Sequence, residues 1–173
     1  VIECSGVLHH MKDPLVGLKA LVDVLKPNGF LKIGVYSELA RKDIIKAREY
    51  IANHKYKPTS KDIRAFREKV FSGQQKDLIT LQLFKDFYSL SECRDLCFHF
   101  QEHRFTIKNL MEMINKCKLK FLGFLLPQKT KFLYKKYFPN DEKQINLYNW
   151  SIFEEKYPNT FREMYQFWVQ KLN

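Results

Sequence analysis

Apolar positions along the chain follow two rhythms. Ile2 to Ser5 is a short run that reads as a buried strand, and Phe30 to Ser37 is a second one. Between them, Leu15, Leu18, Leu21, Val22 and Leu25 return every three or four positions. That spacing predicts a helix to about Lys26 with one face turned to a sheet. Asp13-Pro14 opens the helix, since the carboxylate can accept first-turn amide hydrogens and proline fits there without losing a needed donor. Pro27-Asn28-Gly29 closes it. Strand, helix and strand in this order predict a crossover between parallel strands.

The pattern then turns helical. Leu39, Ile44, Ala47 and Ile51 share a face of a helix expected to reach about Asn53, with Arg41 and Arg48 projecting from it. Pro58 interrupts, and Thr59 with Asp62 has the spacing of a capping box for a helix near Lys61 to Phe71. A third helix is expected from about Leu78 to Tyr88, with Leu81, Phe84 and Tyr88 inward. Asp95 to Thr106 is a polar, histidine-bearing connection, after which Thr106 caps a helix ending near Lys118 with Leu110, Met113 and Ile114 in its stripe. Lys120 to Leu126 is the third strand. Trp150, Phe153 and Tyr157 predict a helix stopped by Pro158, and Phe161, Tyr165 and Trp168 predict another, with no final antiparallel hairpin.

Three strands and one crossover helix cannot bury both faces of a parallel sheet. Further β/α units are therefore expected before Val1, which makes the chain the carboxyl-terminal part of a larger α/β domain. The expected organisation is a sheet domain at residues 1–37 and 103–126, a helical insertion at 38–102 and an aromatic-rich helical tail at 127–173. The insertion leaves the carboxyl end of a strand, where open α/β sheets bind ligands, so it reads as a substrate lid; packing or dimerisation is its other possible role.

Composition adds limits. Four cysteines, Cys4, Cys93, Cys97 and Cys117, form no tight ligand framework and read as reduced thiols. No uninterrupted apolar segment is long enough to span a bilayer, and a cytoplasmic location is expected. The formal charge of +11 makes nucleic acid a partner to weigh, although the lysines are spread along the chain.

Leu8-His9-His10, Asp13-Pro14 and Leu25-Lys26-Pro27-Asn28-Gly29 stand where class I S-adenosylmethionine-dependent methyltransferases carry similar runs, and only Asn28 departs, from a usual glycine. The stretch from Cys4 to Arg41 resembles the fourth strand, fourth helix and fifth strand of that family, in particular the bacterial branch sometimes joined to tetratricopeptide repeats. Similarity extends to the QEHRFT and MYQFW segments, and Lys120 to Leu126 resembles the sixth strand. The fold implied is a partial Rossmann-like methyltransferase sheet of fourth, fifth and sixth strands with a large helical insertion and a helical carboxyl terminus. The cofactor implied is S-adenosylmethionine. The family's glycine-rich first loop and the acidic residue after its second strand have no counterpart here, so the isolated chain is expected neither to bind the cofactor nor to be active.

Methyl transfer needs proximity and alignment, and a base where the acceptor carries a proton. His9 and His10 follow a strand end, where one can orient or deprotonate an acceptor while the other braces the loop. Ser5, Gly6 and Val7 are the candidate cofactor contacts the resemblance implies. Tyr36, Ser37, Glu38 and Arg41, in a YSELAR run the family branch also carries, are candidate acceptor contacts, with His103 and Arg104 from the second polar cluster. His99, Glu102 and His103 lack convincing further ligands for a metal. The expected partners are the missing amino-terminal half of the domain, an unidentified methyl acceptor and a possible second copy of the chain. The rival reading is a non-catalytic RNA-binding or protein-interaction fragment; a nucleotide-dependent oxidoreductase is disfavoured because no glycine fingerprint is present.

Overall fold

The computed structural model describes residues 1–99 and 101–172; Phe100, within the polar connection, lies outside them. In chain order the elements are β1 (Ile2–Ser5), a 3-10 turn at Leu8–His10, α1 (Pro14–Val24), β2 (Phe30–Val35), α2 (Lys42–Asn53) and α3 (Ser60–Phe71). Two 3-10 segments follow, Lys76–Leu83 and Lys85–Tyr88, then α4 (Leu90–Phe98), α5 (Ile107–Lys116), β3 (Leu119–Phe124), α6 (Gln128–Tyr137), α7 (Leu147–Lys156) and β4 (Tyr165–Lys171). The chain divides into two compact units, Val1–Ala40 with Gln101–Asn173, and Arg41–Phe100.

The first unit is mixed α/β, with one four-stranded sheet in the order β1-β2-β4-β3. β1 and β2 are parallel, with Ser5 opposite Gly34, and α1 makes the crossover between them. Asp13 Oδ1 accepts the amides of Leu15 and Val16 at 2.9 and 3.2 Å, and Pro14 takes the first helical position. At the far end Asn28 sits at φ +59°, a conformation that glycine favours and asparagine tolerates, so asparagine keeps the turn here. The carbonyls of Val22 and Leu25 at the end of α1 accept from Lys171 Nζ at 2.7 and 2.8 Å, which ties the helix terminus to β4.

β4 corrects the expected terminal helix. Tyr165, Phe167 and Val169 are buried while Gln166, Trp168 and Gln170 are half-buried, a period of two that the aromatic spacing of Phe161, Tyr165 and Trp168 concealed. The strand enters between β2 and β3, antiparallel to both. Tyr165–Lys171 is thus a strand in the sheet interior, and among the described residues the sheet has four strands where three were expected. One face, carrying Leu31, Ile33, Val35, Phe167 and Val169, packs with Leu18 and Val22 of α1 and Leu110 and Ile114 of α5 in a single core. The tail is anchored to that core by aromatic contacts: Trp150 stacks on Tyr134 at 3.7 Å and meets Phe124 edge-on at 5.4 Å.

The second unit is helical, with Ile44, Ala47, Ile63, Phe66, Val70, Leu96 and Cys97 in its core. Thr59 caps α3 and Ser89 caps α4 through the amides of Asp62 and Glu92. Three expectations change here. The helix expected from Leu78 to Tyr88 is a pair of 3-10 segments, because Leu78, Leu81, Phe84 and Phe87 are buried at a strict interval of three, the repeat of that helix. Tyr88, expected inward, is exposed. Asp95 to Phe98, expected in a connection, belongs to α4. All four cysteines are free and buried. Among the described residues no helix is long and apolar enough to cross a membrane.

Candidate functional site

Because β4 runs against β2 and β3, the carboxyl ends of β1, β2 and β3 and the start of β4 share one edge of the sheet. Ligands of open α/β sheets bind beyond such an edge. Ser5 and Val7 are exposed there, and Gly6 between them has φ +77° with open space where a Cβ would project. The Gly6 amide donates to the Gly34 carbonyl at 3.1 Å. Gly34 itself is crowded: a Cβ would lie 2.8 Å from Met164 Sδ and 2.9 Å from Ser5 Oγ. The absence of a side chain at Gly34 lets the ends of β1 and β4 close over β2.

The segment from Gln101 to Phe105 is laced onto this edge. The His103 amide donates to the His9 carbonyl at 2.7 Å, and Gln101 Nε2 donates to the Met11 carbonyl at 3.0 Å. His10 Nδ1 lies 3.0 Å from the Gln101 carbonyl. Phe105 donates its amide to the Tyr36 carbonyl and accepts from the Glu38 amide, both at 2.9 Å. The two histidine-bearing segments, nearly a hundred residues apart in sequence, are therefore neighbours. Gln101, which helps to join them, lies in the QEHRFT run singled out by resemblance, but nothing in that run pointed to its contacts with His10 and Met11.

The two histidines differ. His9 is fully buried, with its ring 3.9 Å from that of Tyr36 and 4.3 Å from that of His10. His10 is half-buried, and its Nδ1 faces a carbonyl, a group that can only accept. That contact assigns the proton to Nδ1 and leaves Nε2 as the lone-pair nitrogen of the neutral ring. Tyr36 is half-buried and Glu38 exposed. His103 and Arg104 line a separate open cleft of about 320 Å³ with Asp13, Asn109, Glu112 and Lys116. Arg41 is buried in the helical unit, where Nη2 donates to the Leu96 carbonyl at 3.4 Å.

Ser37 is 1% exposed, and its hydroxyl is engaged on both sides. It donates to Glu154 Oε1 at 2.5 Å and accepts the Ala40 amide at 3.1 Å. Glu154 Oε2 in turn accepts from the Tyr165 hydroxyl at 2.5 Å. Ser37 therefore stands behind the wall that Tyr36 presents, and its expected acceptor contact is replaced by this network. Burial raises the Glu154 carboxyl above the usual range, with Glu155 adding to the rise and the two hydroxyl donors opposing it. Burial and the adjacent Glu154 push Tyr165 far above the ordinary phenol range. Glu154 was missed in the sequence, although a signal exists: it stands at the buried spacing of Leu147 and Trp150, a carboxylate on an apolar stripe.

A larger cleft of about 540 Å³ opens at the same edge, beyond the end of β3 and the start of β4. Leu126, Phe161 and Met164 give it apolar walls, and Lys131, Arg162 and Gln166 give it polar ones. Among the described residues no group of three or more His, Cys, Asp or Glu side chains is placed to hold a metal ion.

No family model matches the chain. An uncharacterized protein of Synechococcus sp. is 35% identical over 130 residues, covering 71% of this chain and 31% of that protein. The structure of PKMT2 from Rickettsia typhi in complex with AdoHcy is similar to 99% of this chain with a TM-score of 0.66 at 14% identity. A second structure of PKMT2 from the same organism is similar to 96% of it with a TM-score of 0.65 at 13% identity. The likeness is one of fold, which the chain shares with these structures. The chain spans about a third of the length of these proteins.

Proposed function

We propose that this chain is the carboxyl-terminal part of an S-adenosylmethionine-dependent methyltransferase and supplies the acceptor side of its active site. The observation that carries the reading is the sheet, with order β1-β2-β4-β3 and one antiparallel strand inside it, together with the fold likeness to a protein that holds AdoHcy. Upstream β/α units would pair along β1, whose described partner is β2 alone, and would bring the glycine-rich cofactor loop. Without them the chain is inactive.

In this reading Ser5, Gly6 and Val7 flank the cofactor, because Ser5 and Val7 are exposed at the carboxyl edge and the open space beside Gly6 admits a ligand close to the backbone. The cofactor, when bound, supplies an electrophilic methyl group. His10 is the direct base: Nε2 takes the proton that an acceptor nitrogen or oxygen releases, while the Gln101 carbonyl holds the ring's other nitrogen. His9 and Tyr36 form the aromatic wall beside it. Glu38 at the exit from β2, and His103 and Arg104 at the smaller cleft, select the acceptor.

Transfer of a labelled methyl group from S-adenosylmethionine tests this reading with two proteins, the 173-residue chain and the longer polypeptide it requires. Incorporation into a cell extract or protein mixture by the longer polypeptide alone is expected, with loss of about 100-fold or more in its His10→Ala variant. Absence of transfer by the longer polypeptide would contradict it.

A further inference from the structure

The buried network is placed to act on the site through the backbone. Glu154 joins three segments: its own helix α7, the exit of β2 at Ser37 and the start of β4 at Tyr165. Each carboxylate oxygen receives one hydroxyl at 2.5 Å. Ser37 is held in addition by its bridge to Phe105 and by the Ala40 amide, so the chain is clamped on both sides of it. Tyr36 is the next residue back and alternates to the opposite side, where its ring meets His9. Rotation of Ser37 would therefore turn Tyr36 and open the aromatic wall.

We propose that Glu154 is a positioning residue: through Ser37 it sets the angle at which Tyr36 leaves β2 and so holds the His9–Tyr36 stack against the reacting edge. Two features argue against a merely structural carboxylate. An apolar side chain at this place in the α7 stripe would pack without the cost of burying a charge, and charge-assisted bonds from two hydroxyls define a geometry that apolar packing leaves loose. The network also ends on the residue adjacent to the one that lines the site. The proposal rests on the methyltransferase reading for its consequence in catalysis, whereas the geometry it asserts can be observed without any activity.

The experiment uses the full-length protein with 13C-labelled histidine, the His9 ring signal being assigned by its loss in a His9 substitution. Ser37→Ala and Glu154→Gln are each expected to shift the His9 ring signal, and the double variant is expected to shift it no further than the larger single, since both act through one bond. Glu155→Gln, one residue along α7 and exposed, is expected to leave it in place. Ser37→Ala removes a single hydroxyl and carries the test if Glu154→Gln does not fold. An unmoved His9 signal in Ser37→Ala, or an equal shift in Glu155→Gln, overturns the proposal. Methyl transfer by folded Ser37→Ala is expected to fall about 10-fold with AdoHcy affinity unchanged, the signature of a misplaced wall and an intact cofactor site. If the wild-type protein binds no AdoHcy, the methyltransferase reading fails while the shifts still decide the positioning.

Discussion

The ring of Tyr36 lies 3.9 Å from that of His9, tilted by 32°, so the residue leaving β2 covers a fully buried histidine that follows β1. The contact joins the ends of two parallel strands at the edge where a cofactor and acceptor would meet. Tyr36→Ala removes a half-buried aromatic and exposes His9, with an expected loss of about 2 kcal/mol by urea unfolding.

Gly34 is a position of close approach, and Gly34→Ala brings a methyl group against both Met164 and Ser5. A loss of about 1–3 kcal/mol is expected. Met164→Ala in the same protein should return part of that loss, because the thioether is the nearest atom. Additive losses in the double variant would show that the clash is not the cause.

The Glu154 carboxyl is raised above its unfolded value, so the native state holds its proton more tightly than the unfolded chain does. The sign follows: stability relative to Glu154→Gln is greatest below the ordinary glutamate range, about pH 4, and declines as pH rises through the raised native value. Paired urea titrations of wild type and Glu154→Gln across that window measure the slope. A difference that grows with pH would contradict the burial argument.

Asp13 caps α1 through two amides, and Asp13→Ala is expected to cost about 1 kcal/mol. Asp13→Asn or Asp13→Ser should recover most of it, as each keeps an acceptor oxygen. The thiols offer a check on packing, since all four cysteines are buried and should resist a disulfide reagent until the protein unfolds.

How much of this was legible beforehand depended on whether neighbours in sequence made the pattern. α1 and its caps were, because Asp13-Pro14, the leucine spacing and Pro27-Asn28-Gly29 are local signals. β4 was not: its alternation spans only seven residues, and Phe161 just before it extends the aromatics into a false helical stripe. The spacing of Leu78, Leu81, Phe84 and Phe87 was visible but fits a helix of either kind until burial separates Phe87 from Tyr88. At the candidate site, His9, His10 and Tyr36 were singled out from their positions after strand ends, and the structure places their rings beside one another. Their partners Gln101, Glu154 and Tyr165 come from distant segments brought in by β4 and α7, and nothing local announces such pairings.

The central claim concerns the cofactor edge, and calorimetric titration with AdoHcy tests it most directly. The longer polypeptide is expected to bind one AdoHcy per chain, and the 173-residue chain to give no heat of binding. Absence of binding by the longer polypeptide would contradict the methyltransferase reading, and tight binding by the 173-residue chain would contradict the division of the site between two parts of one domain.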